Sequence, residues 1–426
     1  MKDSIYQRSV LDNGLRVITH NMPGMYSVSL GIWVGVGGRY ETSANKGISH
    51  FLEHLLFKGS KNYSCQKIKE SIEGIGGLLN GATTEEATCY LAKFPYRHLE
   101  RVVDVLSDMV LHPLLSQEDV ERERTVILEE VKMYKDLPGE YVQELLDELL
   151  WPGQPLGLPI IGLEGSLAQM KRDDLAEFKQ RYYAAANIVI NAVGSLSEEV
   201  LLKKVRDKFL SQVKFEVLDC PKAIKEQSKP QLKLLHKDTE QTHLALGFHS
   251  LEREHPLRHA LGLLHVILGA NMSSRLFNEI RESRGLAYEI ATGIKRFRDA
   301  GTFIIRAGID NRKVSEAVEL ILKELKKIKD EPVSDDEFSR AKEFYLGQIL
   351  LALEDTFDHM LWMGESAITS DKIETLDEII GAINKTQKED IQRVAREIFS
   401  ENSLNLALIG PLEGRQDAIY NQLRLA

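Results

Sequence analysis

The chain has 426 residues, 43% apolar and 28% charged, enough for two or three domains and a large core. Its 64 acidic residues against 54 Lys plus Arg leave a formal charge of −10, which argues against nucleic acid as the main ligand, since phosphate binding draws on a basic surface. No apolar run approaches the roughly 18 residues of a membrane span, no signal or transit pattern opens the chain, and three scattered cysteines make no disulfide framework, so a cytoplasmic protein is expected.

In chain order, residues 5–20 alternate around the turn signal DNG and predict a hairpin. SVSLGIWVGVGG (27–38) predicts a buried strand running into a glycine-rich turn; that turn lacks the Lys of a phosphate loop. Residues 48–57 predict a buried helix. GIGGLLNGATTEEATCYLAKF (74–94) predicts a glycine turn and two strands, with Cys89 as packing. Helices are predicted over 98–111 and 117–135, the second opened by a capping box at Ser116 and Asp119. Further helices cover 139–150 and 171–182, then NIVINAVGSL gives a strand before a helix at 197–210.

Residues 211–239, rich in lysine and carrying Pro221 and Pro230, predict a linker. The second half then restarts in the same order, with strand THLALGFHS, turn LEREHP and buried helix LRHALGLLHVILG. This repeated order points to a duplication. The expected fold class is α+β, with two similar domains at 1–215 and 228–426. His243, His249, His255, His259 and His265 crowd the second half, but their spacing follows a strand and a helix without a carboxylate pattern.

GISHFLEHLLFKGS (47–60) sets His50, Glu53 and His54 in an apolar helix, and burying three titratable groups together is costly unless something pairs with them. On a helix the histidines lie about 40° apart with Glu53 about 60° to the other side, so all three heads meet on one patch. Imidazoles at i and i+4 are spaced to hold one Zn2+, and the carboxylate between them is placed to accept a proton. The pattern is H-x-x-E-H, the inverse of H-E-x-x-H. The same five residues also suit histidines hydrogen-bonded in a core or at a surface.

The segment SQEDVERERTVILEEVKMY (116–134) adds a second sign. On a wheel with Val126 at zero, Val120, Ile127, Val131, Met133 and Tyr134 cluster on one side, with Glu130 at about 40° and Glu123 at about 60° inside that arc. Glu129, at about 300°, falls towards the solvent edge. Two carboxylates on a buried stripe need partners. A third zinc ligand with a supporting acid answers that need; a charged helix with its face misdrawn is the plainer alternative.

At this point the sequence resembles the pitrilysin-like inverzincin peptidases, the group of insulin-degrading enzyme and the mitochondrial processing peptidase. GGRYETSANKGISHFLEHLLFKGS resembles the family's metal-binding stretch, GGLLNGATTEEATCYLAKF its substrate-binding edge strand, and ERERTVILEEVKMYKD its third-ligand helix. SSRLFNEIRESRGLAYEI resembles its second-half signature. Gly81 stands where the family usually has Ala, and Gly38 replaces a common Ser before Arg39.

The resemblance implies two mostly antiparallel sheets with helices packed on one face, together half of a clam-shell peptidase. It implies His50, His54 and Glu130 as ligands of one Zn2+ per chain, Glu53 as general base and Glu123 as the acid behind the site. It implies Arg281 and Tyr288 as the pair that grips the substrate backbone, with the Tyr288 hydroxyl facing the developing oxyanion, and Asn80, Gly81 and Ala82 as the edge that meets an extended peptide. The short branch of the family encloses a chamber between two chains, so a homodimer with composite sites, cleaving peptides or short unfolded segments, is expected. The competing readings are a dependent subunit of a heterodimeric processing peptidase and a non-catalytic scaffold.

Overall fold

The computed structural model describes residues 5–212 and 219–425; the expected boundary at 215 lies outside the described residues. The first half contains β1 (Gln7–Val10), β2 (Arg16–Asn21), β3 (Ser27–Val34), α1 (Ile48–Leu56), α2 (Cys65–Glu73), β4 (Leu78–Thr83), β5 (Thr88–Pro95) and α3 (Leu99–Leu111). It continues with α4 (Gln117–Asp136), α5 (Pro138–Leu150), α6 (Glu164–Gln169), α7 (Arg172–Tyr182), β6 (Ile188–Gly194) and α8 (Glu198–Phe209). The second half contains β7 (Gln231–His236), β8 (Gln241–Ser250), α9 (Arg258–Gly269), β9 (Ala287–Arg296), β10 (Gly301–Asp310), α10 (Val314–Asp330) and α11 (Asp335–Glu354). It ends with α12 (Thr356–Thr369), α13 (Leu376–Lys385), α14 (Lys388–Ile398), β11 (Asn405–Gly410) and α15 (Gln416–Tyr420).

The two sheets repeat one plan. The first has the order β1-β2-β6-β3-β5-β4 and the second β7-β11-β8-β10-β9. In each, one parallel pair, β2 with β6 or β7 with β11, stands among antiparallel pairs. The duplication expected from element order therefore extends to strand order and pairing sense. One element differs from expectation: Gln231–His236 lies inside the predicted linker, yet it forms β7 and pairs in parallel with β11. Its partner is some 170 residues further along the chain, and no local pattern announces such a pairing.

The compact units cross the boundary between the halves. One comprises the chain up to Lys132 with Leu158–Pro221 and Leu351–Ile373; the other comprises Met133–Gly157, Lys222–Leu350 and the chain from Glu374. The first sheet thus receives α12 from the second half, and the second sheet receives α5 from the first. The physical reason lies in the central strands. β3 is buried from Val28 to Val34, on both of its faces, so helices on one face leave the other uncovered. In the first unit α1 packs on β4 and β5, while Met360, Met363, Ala367 and Ile368 of α12 pack on Trp33, Cys89, Leu91, Val189 and Val193. In the second, Val142, Leu145, Leu146 and Leu150 of α5 pack with Ala245, Ala407 and Ile409, opposite the large core that α9, α10 and α14 share with the sheet. No helix of the described residues is long and apolar enough to cross a membrane.

Candidate metal centre

The start of α1 is fixed before its histidines are placed. Gly47, at φ 95°, caps the helix, and a Cβ there would lie 2.6 Å from Gly162 Cα, so both conformation and space demand glycine. The Gly47 and Ser49 N–H groups donate to the Glu41 carboxylate at 3.0 and 2.8 Å, a negative charge at a helix N-terminus. Glu41 is itself buried against Lys46, whose ammonium lies 3.3 Å from it and donates to Gly38 O at 2.8 Å. Burial holds the Lys46 pKa below the usual lysine value, with Glu41 opposing that shift. A Cβ on residue 38 would lie 2.9 Å from Lys46 Nζ, so Gly38 makes room for the buried lysine.

From that start α1 turns its apolar residues into the core and leaves His50 and His54 half-buried at one side. Their rings sit 4.6 Å apart. His50 Nε2 and His54 Nε2 stand 4.0 and 3.8 Å from Glu130 Oε2 on α4. These are too long for hydrogen bonds, and the three ligand atoms all lie within 4.8 Å of one another. Tetrahedral zinc holds its ligand atoms about 3.3 Å apart, so small side-chain movements would seat one ion between them. The donor set of two imidazoles and a carboxylate suits zinc with an open fourth position. Burial, with His54 adding to it, pushes the His50 pKa down to about 3, so its ring is neutral and carries a lone pair. His50 Nδ1 is buried with no hydrogen-bond partner. Among the described residues this is the one cluster of three such groups that could hold a metal.

α4 presents a face rotated from the sequence expectation. Val120, Glu123, Ile127 and Val131 are buried, while Val126 and Met133 are exposed. The buried arc runs from Glu123 at about 60° to Val131 at about 140° and is centred near Ile127, which leaves Glu123 at its edge and the half-buried Glu130, at about 40°, just beyond it. Glu129 is exposed and paired with Lys132. The His54 Nδ1–H donates to Glu123 Oε2 at 3.3 Å, and the other oxygen of Glu123 lies 2.7 Å from Lys58 Nζ.

Glu53 is buried between α1 and β4, the edge strand of its sheet. The Thr83 hydroxyl donates to Glu53 Oε2 at 2.7 Å. Burial raises the Glu53 pKa above the usual carboxylate value, while Thr83 and His54 pull it down. A Cβ on residue 81 would lie 2.5 Å from Glu53 Oε1; in this chain the carboxylate fills the space that the absent side chain leaves. Asn80 and Ala82 point outward on β4, and Asn80 Oδ1 accepts from the N–H of Gly81 at 2.9 Å, so the side chain is folded onto its own strand.

Arg281 and Tyr288 belong to the other unit. Arg281 sits on the π-helical turn Phe277–Glu282 and Tyr288 on β9. The guanidinium lies 5.3 Å from the centre of the Tyr288 ring and 4.7 Å from that of Phe277, a stack that holds the arginine in place. Tyr288 is 76% exposed and borders a cavity of about 320 Å3 that Gly139, His243 and Arg306 also line. Two other second-half histidines are hydrogen-bonded within the fold, His249 Nε2 donating to Leu150 O at 2.7 Å and His265 Nδ1 lying 2.7 Å from the Thr292 hydroxyl, while both ring nitrogens of His259 are buried without a hydrogen-bond partner.

Sequence reasoning had not singled out Glu41, Lys46, Lys58 or Thr83. A sign for Lys58 was available, since it follows His54 by one helical turn.

Residues 16–164 match the family described as Insulinase (Peptidase family M16), and residues 169–345 match the Peptidase M16 inactive domain. The chain belongs to the M16 peptidase family. The H-x-x-E-H pattern at His50–His54 falls in the first match, and Arg281 and Tyr288 fall in the second. Over 407 residues the M16 chain is 36% identical to a Bacillus subtilis protein named uncharacterized zinc protease YmxG, covering 95% of this chain and 98% of that one. An uncharacterized zinc protease of Streptomyces coelicolor is 34% identical over 417 residues, 96% of this chain and 90% of that one. The crystal structure of a protease from Helicobacter pylori matches with a TM-score of 0.90 at 22% identity, covering 95% of this chain and 99% of that chain, which shows a shared fold.

Proposed function

We propose that this chain is a zinc-dependent endopeptidase, with His50, His54 and Glu130 holding one Zn2+ and Glu53 as general base. The observation that carries this reading is the convergence of those three ligand atoms within 4.8 Å, beside a buried carboxylate under a free strand edge. The relatives named zinc proteases support it at the level of the family.

Bound zinc supplies a Lewis acid that lowers the pKa of a bound water to about 7 and polarises a carbonyl. Glu53 accepts the proton of the attacking water and returns it to the leaving amine. An extended peptide adds to β4 through main-chain hydrogen bonds, which tolerates varied sequences. Arg281 and Tyr288 grip the substrate backbone, and the Tyr288 hydroxyl meets the developing negative charge. Two copies of the chain enclose the chamber in this reading, each zinc being served by the Arg/Tyr pair of the other copy.

Purified protein should contain one zinc per chain and cleave unstructured peptides, with both properties lost on chelation. Zinc binding without turnover by the chain alone, and turnover on adding a second, different chain, would favour the heterodimeric reading. A chain with neither metal nor activity would be a scaffold.

A further inference from the structure

We propose that Lys58 is a positioning residue of the zinc centre, acting on His54 only through Glu123; this rests on the zinc reading above. α1 closes with the Phe57 and Lys58 N–H groups bonded to His54 O and Leu55 O at 3.3 and 3.0 Å, which brings Lys58 one turn beyond His54 on the same side. Its ammonium lies 2.7 Å from Glu123 Oε1, while Glu123 Oε2 lies 3.3 Å from His54 Nδ1. Each oxygen of the carboxylate therefore has one partner, His54 on α1 and Lys58 just beyond its C-terminus.

That division has a consequence for the metal. A ligating imidazole is oriented by the acceptor on its other nitrogen, and such acceptors affect metal affinity by about 10–100-fold. Glu123 is 2% exposed, so solvent does not hold it. With Lys58 gone, one hydrogen bond to His54 would remain, and the carboxylate could rotate away from the line that aims His54 Nε2 at Glu130. Three carboxylates, Glu53, Glu123 and Glu130, surround this patch; among the described residues Lys58 is the one lysine or arginine in an ion pair with any of them. An exposed ion pair contributes little to stability; this one has a buried end that leads to a ligand.

The test uses the full chain. Lys58→Met keeps most of the length of the side chain and removes its charge, and Lys58→Arg keeps the charge. Zinc affinity is measured by competition with a chromophoric chelator, the visible spectrum is recorded on the cobalt-substituted protein, and kcat and KM are measured on a peptide. Lys58→Met should bind zinc about tenfold more weakly, shift the cobalt bands and lower kcat with little change in KM. Lys58→Arg should restore most of each. In a Glu123→Gln background, Lys58→Met should cost nothing further. Full zinc affinity with an unshifted cobalt spectrum in Lys58→Met would overturn the proposal, as would additive losses in the double variant. Should Lys58→Met fail to fold, Lys58→Gln carries the same comparison. The zinc reading fails separately, if wild-type affinity is indifferent to His50→Ala and His54→Ala.

Discussion

The Thr83 hydroxyl donates a 2.7 Å hydrogen bond to Glu53 Oε2, so β4, the edge strand proposed to take the peptide, also steadies the proposed base. Glu53→Gln keeps size and helix but removes the proton acceptor. Hydrolysis should fall by several orders of magnitude while zinc stays bound. Near-normal turnover in the metal-loaded variant would sink the mechanism.

Thr83→Val gives a subtler readout. A hydrogen bond to the ionised carboxylate favours ionisation, and burial opposes it. Removing the bond leaves burial unopposed on that side, so the Glu53 pKa should rise. The acid limb of kcat/KM against pH should therefore move to higher pH. A limb that stays put or moves down would show that Thr83 does not tune Glu53.

Glu130 and its neighbour Glu129 can be told apart by metal retention. Glu130→Gln should lose zinc readily on dialysis, because its carboxylate faces both histidines. Glu129→Gln should behave as wild type, since its carboxylate is exposed beside Lys132. Glu123→Gln should fall between them. The reverse ranking of Glu129 and Glu130 in a metal assay would contradict the face of α4 seen here.

How far the sequence carries is clear from these same residues. His50, Glu53 and His54 are close in sequence and lie on one helix, so their spacing alone puts them on one patch. Glu130 is remote, and its place beside them followed from the apolar arc of α4 together with the family resemblance. That arc includes Met133, which is exposed, as is the reference residue Val126; apolar residues at a partly covered helix face mislead such a wheel. The exchange of α5 and α12 left no local sign. Each helix shows its apolar face in its own sequence, but which sheet receives that face is a long-range choice. β7 was hidden for the same reason.

The docking of α12 depends on Gly364. A Cβ there would lie 2.0 Å from Trp33 Nε1, and the indole is already fixed by its bond to Asn191 at 2.9 Å. Gly364→Ala should destabilise the protein by about 1–3 kcal/mol through overpacking, measured by denaturant titration. Trp33→Phe in the same chain should recover part of that loss. Equal stability of Gly364→Ala and wild type would contradict the close approach.

His359, on the same helix, makes the docking sensitive to acid. Its Nε2 lies 3.2 Å from the Tyr6 hydroxyl and its Nδ1 3.1 Å from Leu353 O, partners that suit a neutral ring. Burial, with His20 adding to it, pushes its pKa down to about 4 from an ordinary 6.5. Between those values the unfolded chain binds more protons than the folded one, so stability rises with pH there and is lost as pH falls from about 6.5 towards 4. His359→Gln should flatten part of that acid loss in urea titrations at pH 7 and 4.5; other histidines held low by burial, His50, His259 and His265 among them, should keep part of it. An unchanged slope would mean that His359 does not carry this dependence.

The composite site can be tested with two inactive proteins. Where Arg281 and Tyr288 of one chain serve the zinc of the other, Tyr288→Phe and Glu53→Gln homodimers should each be impaired. A mixed dimer of the two has one site with an intact Glu53 facing an intact Tyr288 of the other chain. Its second site carries both lesions. Activity should return, to about half that of wild type if the sites act independently. Within a single chain, by contrast, every site of the mixed dimer keeps one lesion and nothing returns. Co-expression with two different tags and tandem purification isolates the mixed species without relying on subunit exchange. A purified mixed dimer no more active than its parents would refute the trans arrangement and leave the zinc ligands untouched, because the metal assays on Glu130 do not involve Tyr288.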